Sequence, residues 1–448
     1  MISKKEDFGV SIKQHRHLKG IALPHRKNTR DMQTRRMPPP ELVTIPMIQH
    51  IGAECQPLVK PGDLVKVGQL IGSSGKKFSA PIHSSVSGRV RALENFITTS
   101  GARTLAVVIE TDGLQQVDPS VAPPKVTSHR EFVEAVNASG LVGLGGAGFP
   151  THIKLDPQDL GRIDTLIVNI AECEPYITAD YRACMEDGEA LASGIALLKK
   201  YMDLRRVIVG IEDNKQEAVR LLKEILPTDV EIQVLRSRYP QGAEKVLVYE
   251  TTGRVVQEGK IPADVGVVVM NISSVIFIDQ FLRTGMPLVE KRLTVDGSAV
   301  RQPQNLWVPI GASVRSVVEF CGGYASQPGK LLMGGPMMGI ALYTDEYPVI
   351  KNNNAVLALD RNEGRIPEET ACIRCGRCID VCPVNLTPAA LDRANRANDL
   401  ERLKALKVNL CMECGCCSYV CPAKRHLVLA NRMGKKKLRD AASAQTGK

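Results

Sequence analysis

Cys372-Ile373-Arg374-Cys375-Gly376-Arg377-Cys378-Ile379-Asp380-Val381-Cys382-Pro383 is answered by Cys411-Met412-Glu413-Cys414-Gly415-Cys416-Cys417-Ser418-Tyr419-Val420-Cys421-Pro422. Both runs read Cys-x2-Cys-x2-Cys-x3-Cys-Pro, with 28 residues between Cys382 and Cys411. Two-residue gaps let three thiolates reach one face of a polynuclear centre, and the fourth corner must be met from elsewhere. Zinc ribbons pair their cysteines across a longer gap and rarely add a third Cys followed by Cys-Pro. Disulfides are disfavoured by the crowding of these thiols and by the absence of a secretory leader pattern. Cys416 sits beside the better-spaced Cys417 and reads as a buried small residue. The stretch predicts an electron-transfer unit.

Each run matches the spacing of bacterial two-cluster ferredoxins, in which the fourth Cys of one run ligates the cluster held by the other. On that pattern Cys372, Cys375, Cys378 and Cys421 hold one [4Fe–4S] cluster. Cys411, Cys414, Cys417 and Cys382 hold the second. Between the runs, Pro388 to Lys407 places apolar residues on one helical face, so the unit (359–433) is more helical than a minimal ferredoxin.

At 448 residues the chain has room for about three domains. Aromatics are 4% and are not interleaved with basic residues, which argues against nucleic acid. The longest apolar stretch, Val265 to Ile278, is broken by Asn271, Ser273 and Ser274 and is too short to span a bilayer. The start carries no apolar leader core, so a cytoplasmic setting is expected. Charge gathers at the ends. Residues 1–40 hold ten basic against three acidic side chains, and 434–448 five against one. These ends suit an anionic lipid surface or an acidic partner, or they are solvated tails.

Residues 1–41 read as a basic extended arm with His15 and His17, ending in Pro38-Pro39-Pro40. Residues 42–115 alternate short β segments with Gly-Asp and Gly turns. They resemble the barrel-sandwich of biotinyl and lipoyl carriers, but Ser84-Ser85-Val86-Ser87 offers no tip lysine, so a docking module without a prosthetic arm is expected. Residues 116–300 alternate helices with the strands around Thr165–Asn169, Arg206–Gly210 and Glu231–Leu235, predicting a mostly parallel sheet. Sites in such sheets gather at strand C-termini. Three polar clusters fall there: Asn169 to Tyr176, Tyr239 to Lys245, and Asn271 to Ser274. Ahead of them runs Gly143-Leu144-Gly145-Gly146-Ala147-Gly148-Phe149-Pro150, a loop whose backbone can approach a phosphate or flavin closely. Together these predict a nucleotide pocket. Residues 301–358 form a smaller β-rich unit in which Gly334 to Gly339 reads as a turn.

The Gly145 to Thr151 loop, the Asn169, Glu172 and Glu174 cluster and the Gly242-x-Glu244 turn resemble the flavin- and NADH-binding subunit of respiratory complex I. The order of parts is more similar to the C subunit of the Rnf electron-transport complex, over roughly residues 8–430. That resemblance implies a multidomain α/β chain: barrel-sandwich, complex-I-like nucleotide domain, soluble-ligand-binding β-grasp unit and dicluster domain, with a basic tail at 434–448. It implies a peripheral subunit on the cytoplasmic face of the membrane, working with other Rnf-type subunits and a ferredoxin-binding B subunit in ion-coupled ferredoxin:NAD electron transfer. Noncovalent FMN would rest on Gly143, Gly145, Gly146, Gly148 and Lys154. Asn169 and Glu172 would lie near its ring, and Asn271 and Ser274 near its phosphate. Phe149, Glu174, Gly242 and Glu244 would help seat NAD(H), and no general acid or base is expected. Leu144, Ala171 and Ala243 depart from the complex I pattern. Two alternatives stay open: a microcompartment cobalamin reductase, disfavoured by the 140 or so residues before the Gly-rich loop, and a non-catalytic electron relay.

Overall fold

The computed structural model of the protein describes residues 19–446, with side chains to residue 444. His15 and His17 lie outside the described residues.

The barrel-sandwich comes first. Strands Leu42–Pro46, Arg103–Thr111, Gly88–Ile97 and Leu64–Val65 form an antiparallel sheet in that spatial order, facing a second sheet of Gln56–Pro57, Leu70–Ser73 and Ile82–His83. Alternation points Val43, Ile45, Val107 and Ile109 inward, where all four are fully buried. A register shift between Val90 and Ala92 bends the long hairpin. Ser84, Ser85 and Ser87 are buried, and Ser85 Oγ donates to the remote Ile310 carbonyl. The place of a carrier's swinging arm is therefore packed shut.

The nucleotide domain is built on four parallel strands in the order Val230–Leu235, Arg206–Glu212, Thr165–Ile170, Val267–Asn271. Residues of Thr165–Ile170 are buried almost throughout, as a strand covered on both faces must be. Helices Gly188–Met202 and Ile272–Thr284 pack together over one face. Helix Glu244–Thr252 helps close the other, through Leu247 and Val248. Helix His129–Ala138 precedes the Gly-rich loop and starts at a Ser128 and Glu131 capping box.

The third sheet mixes distant segments. Its order is Arg35–Arg36, Gln304–Pro309, Glu290–Asp296, Ala355–Leu359, Lys330–Met333, Ile340–Leu342, with helix Val314–Phe320 in the same core. The hairpin 290–309 straddles the 300/301 boundary expected from sequence. The arm joins this sheet: Arg35 and Arg36 pair in parallel with Leu306 and Trp307. Further back, Ile21 bridges Tyr239, and Thr29 is buried against Thr178. The described part of the basic arm is thus laid on its own chain.

The cysteine-rich domain holds short helices after each Cys triplet, Arg377–Asp380 and Cys416–Tyr419. The single helix expected over 388–407 is two, Pro388–Arg396 and Leu400–Ala405, separated at Asn398, whose φ is +54°. Leu427–Thr446 is one 20-residue helix, so the basic tail continues an ordered element. Its Leu438 is buried, Lys437 donates to the Asn395 carbonyl, and Lys435 pairs with Glu413. Lys436, Arg439 and Asp440 on the same helix remain exposed. No described helix is long and apolar enough to cross a membrane.

Candidate functional site

The strand C-termini collect the polar clusters that the sequence singles out. At the end of Thr165–Ile170, Asn169 Nδ2 donates to the Gly242 carbonyl at 2.9 Å, tying two clusters together. A Cβ on Gly242 would stand 2.2 Å from the Ala171 carbonyl, so the close approach requires glycine. Glu172 turns back onto helix Ala179–Glu186, accepting the Asp180 N–H at 2.8 Å. Burial pushes its carboxyl up to about 7 against the pull of Lys27. Lys27 comes from the arm, and its buried ammonium donates to the Glu172 and Glu174 carbonyls at 2.8 and 2.9 Å. Sequence reasoning missed Lys27, because nothing local marks an arm lysine as the clasp of a remote turn.

Asn271 caps helix Ile272–Thr284, its Oδ1 accepting the Ser273 N–H at 2.9 Å. Its Nδ2 donates to Asp180, and Ser274 Oγ accepts the Leu144 N–H at 3.1 Å. These contacts hold the Gly-rich loop against the helix start. The tip at Gly145, Gly146 and Ala147 is exposed, and a Cβ on Gly146 would meet open space. The tip is braced from the β-grasp side by Asn352, whose Nδ2 donates to the Gly146 carbonyl at 2.7 Å. Phe149 stacks edge-on against Phe78 of the barrel-sandwich, with ring centroids 5.1 Å apart.

Two expected contacts are engaged within the protein. Lys154 Nζ sits 2.8 Å from Glu244 and 3.1 Å from the Val269 carbonyl, so the two nucleotide candidates pair with each other. Glu174 accepts the N–H groups of Met337 and Met338 at 3.0 and 2.8 Å, which fastens the Gly334–Gly339 turn to the nucleotide domain. Gly143, Gly145, Gly146, Gly148, Phe149, Asn169, Asn271 and Ser274 are brought to one end of the sheet. Glu174 faces the β-grasp turn.

The cysteines fall into two groups. Cys382, Cys411, Cys414 and Cys417, together with Cys416, line one cavity of about 320 Å³, open mouth included. The Cys411 thiol accepts the Asn431 amide N–H, and the Cys382 thiol accepts the Leu386 N–H. Such N–H···S bonds tune iron–sulfur potentials. Burial, with Cys421 and Cys372 nearby, pushes the Cys378 thiol up. Cys372 and Cys375 are exposed. Among the described residues no three His, Cys, Asp or Glu side chains converge on a single metal ion. Four cysteines on one cavity, two of them accepting N–H···S bonds, fit a centre held by thiolates. Cys416 is fully buried and packs with Tyr239 and Ile21. Tyr239 Oη donates to the Cys414 carbonyl at 2.7 Å, so the second run is seated directly on the strand ends.

Comparison with known proteins fits this layout. The RnfC barrel-sandwich hybrid domain matches residues 15–114 and the Nuo51 FMN-binding domain 136–280. The SLBB domain matches 292–341 and the 4Fe–4S dicluster domain 368–425. The C subunit of the Na⁺-translocating ferredoxin:NAD⁺ oxidoreductase complex of Acetobacterium woodii is 40% identical over 435 residues, covering 96% of this chain and 98% of the relative. The chain belongs to the RnfC family. Within that family, the C subunit of the proton-translocating ferredoxin:NAD⁺ oxidoreductase complex of Clostridium ljungdahlii is 40% identical over 358 residues, 79% of this chain and 78% of that one. The C subunit of the ion-translocating oxidoreductase complex of Rhodobacter capsulatus is 39% identical over 409 residues, 90% and 76% respectively. An NAD⁺-reducing [NiFe]-hydrogenase structure aligns at TM-score 0.48 and 19% identity, over 69% of this chain and 61% of its own. Family membership brings an FMN-binding domain and a two-cluster domain into one polypeptide.

Proposed function

We propose that this chain is the peripheral, cytoplasmic-face subunit of a membrane ferredoxin:NAD⁺ oxidoreductase, exchanging hydride with NAD(H) at FMN and single electrons through two [4Fe–4S] clusters. The seating of the second cysteine run on the strand ends carries the reading. Tyr239, from the nucleotide domain, reaches the Cys414 carbonyl, and Cys173 and Met337 border the same buried contact. A nucleotide at the strand ends and a cluster in the cavity beside Cys414 would be neighbours.

Flavin chemistry supplies the change from paired to single electrons. The chain's residues bind and orient. Gly145 and Gly146 would offer backbone N–H groups to the flavin, Gly143 and Gly148 would shape the loop by donating their own N–H groups to the Phe149 and Gly143 carbonyls, and Lys154 would add charge. Asn169 and Glu172 would stand near the ring, and Asn271 and Ser274 near the phosphate. Phe149 would wall the NAD(H) side, and Gly242, Glu244 and Glu174 would shape it. Lys154 must then loosen its pairing with Glu244 when nucleotide arrives. Cys411, Cys414, Cys417 and Cys382 would hold the cluster beside the nucleotide. Cys372, Cys375, Cys378 and Cys421 would hold the outer one, handing electrons to partner subunits or taking them. Exposed Lys436 and Arg439 on the last helix suit an anionic membrane or partner.

The test is the absorbance of anaerobically purified protein before and after NADH, with flavin and iron quantified. Near-equimolar flavin, about eight irons and bleaching by NADH are expected. Full iron with no flavin and no NADH response would reduce the chain to a relay.

A further inference from the structure

The described arm starts beside the cysteine domain and ends in the β-grasp core. Lys19 Nζ reaches the Ile379 carbonyl of the first cysteine run at 3.4 Å. Ile21 exchanges two backbone hydrogen bonds with Tyr239, each of 2.9 Å, and its buried side chain packs with Cys414 and Cys416 of the second run. Arg238 holds the Gly20 carbonyl at 2.8 Å, and a Cβ on Gly20 would stand 2.4 Å from the Tyr239 carbonyl. Only glycine permits so close an approach of the two backbones.

Farther on, the arm crosses the strand-end turn 172–177. The Tyr176 N–H donates to the His25 carbonyl at 3.1 Å. Lys27 donates to the carbonyls of Glu172, Glu174 and Ile177, three acceptors for the three N–H groups of an ammonium. Beyond it Asn28 donates to Asp296 at 3.1 Å, and Asn305 donates to the Thr29 carbonyl at 2.8 Å, both on the β-grasp hairpin. The same turn reaches the second cysteine run by another route. The Glu174 carboxylate accepts the Met337 N–H, and the Met337 carbonyl lies against Gly415.

Ile21 and Lys27 are thus two fixed points six residues apart. Six residues span at most roughly 20 Å when fully extended. A tether of that length limits how far the inner cysteine loop can stand from the strand ends. Electron transfer falls steeply with separation, so the tether bears on rate as well as on stability.

We propose that arm segment 20–29 is a strap that positions the inner cluster against the flavin site, with Lys27 as its anchor. This rests on the FMN reading above. Lys27 is a positioning residue: it acts through the turn 172–177 and touches no reacting atom.

Full-length protein with both clusters and flavin is compared as wild type, Lys27→Met and Ile21→Ala, after iron and flavin are counted. Flash photoreduction of the bound flavin, with EDTA as the electron donor, starts the transfer, and microsecond absorbance follows the electron onto the clusters. Lys27→Met keeps the stem and removes the three donors. It should slow the transfer by about 10-fold or more, since about 1 Å of misplacement can cost 100-fold. Ile21→Ala trims only the packing on the second cysteine run and should slow the transfer by a smaller factor. Cluster potentials, read by redox titration, should keep their wild-type values, so that the slowing reports distance and not driving force. A strap that only stabilises the fold would lower the melting temperature and leave the transfer rate unchanged. That result overturns the proposal, as does a slowing matched by shifted potentials. Where Lys27→Met loses iron or flavin, Ile21→Ala decides, and an unchanged rate there overturns the proposal. A wild type that binds no flavin removes the FMN reading along with it. A wild type that transfers electrons, with both variants matching it, removes this proposal alone.

Discussion

The two cysteine runs share a backbone and differ in everything around it. Arg374 and Glu413 take φ of +56° and +61°, Gly376 and Gly415 +78° and +83°, Asn385 and Lys424 +55° and +53°. Equal spacing has produced equal loops. Yet a Cβ on Gly376 would meet nothing within 4 Å, whereas on Gly415 it would stand 3.0 Å from the Met337 carbonyl. Cys372 and Cys375 are exposed, while Cys411 and Cys414 are buried. Local sequence therefore sets the shape of a cluster loop, and its neighbours set its role. On the proposed path the buried loop is the inner station and the exposed loop the outlet.

Removing one ligand from each loop tests that order most severely. Cys414→Ser and Cys375→Ser should each lower iron from about eight to about four per chain. In Cys375→Ser, NADH should still bleach the remaining cluster. In Cys414→Ser, reduction of the outer cluster by NADH should slow by roughly 100-fold or more, since the bridging centre is gone. Equal slowing in both variants, followed by stopped-flow absorbance, would break the inner and outer assignment.

A milder contrast comes from the two glycines. Gly376→Ala carries only the strain of a left-handed residue, about 1 kcal/mol. Gly415→Ala adds the collision with Met337 and should destabilise by about 3 kcal/mol, judged from over-packing in cores. Chemical denaturation of the two variants measures the difference, and equal losses would mean that the second loop is not tightly seated.

Tyr239→Phe leaves the ring and removes the hydrogen bond to the buried Cys414 carbonyl. The cost should be about 1–2 kcal/mol, with a shift in the potential of one cluster only, read by redox titration. A shift in both clusters would argue against a local effect.

The smallest effect concerns pH. Burial raises the Glu172 carboxyl from 4.5 to about 7, so between these values the folded protein holds a proton that the unfolded chain has released. Its share of stability should fall as pH rises through that window by under about one proton, and Glu174, also raised by burial to about 7, adds to the same slope. Glu172→Gln should reduce the slope without abolishing it, while a change on the exposed loop, Arg374→Gln, should leave it intact. Melting curves from pH 4.5 to 7 decide it.

Much of the fold was legible. Alternation over Leu42–Gly113 gives the barrel-sandwich, and buried runs such as Thr165–Ile170 between helical stretches give the parallel sheet, because burial on one or both faces is written directly as hydrophobic period. The helix break at Asn398 was not legible, since Leu391 and Leu403 continue the apolar pattern on either side of it. Asn169 and Asn271 could be placed because strand ends collect sites. Lys27 and Asn352 could not, because each acts on a segment far away in sequence. Lys27 reaches the Glu172 carbonyl across 145 positions and Asn352 reaches Gly146 across 206.

The sequence by itself determined the two cysteine sets, the kind of sheet and the glycine loop, for these depend on spacing, periodicity and backbone freedom within short windows. Only the tertiary structure decided which cysteine run lies inside, that the basic arm clasps the site, and that Lys154 and Glu244 pair with each other. Those outcomes depend on which surfaces exclude water from one another, and that exclusion is a property of the packed chain.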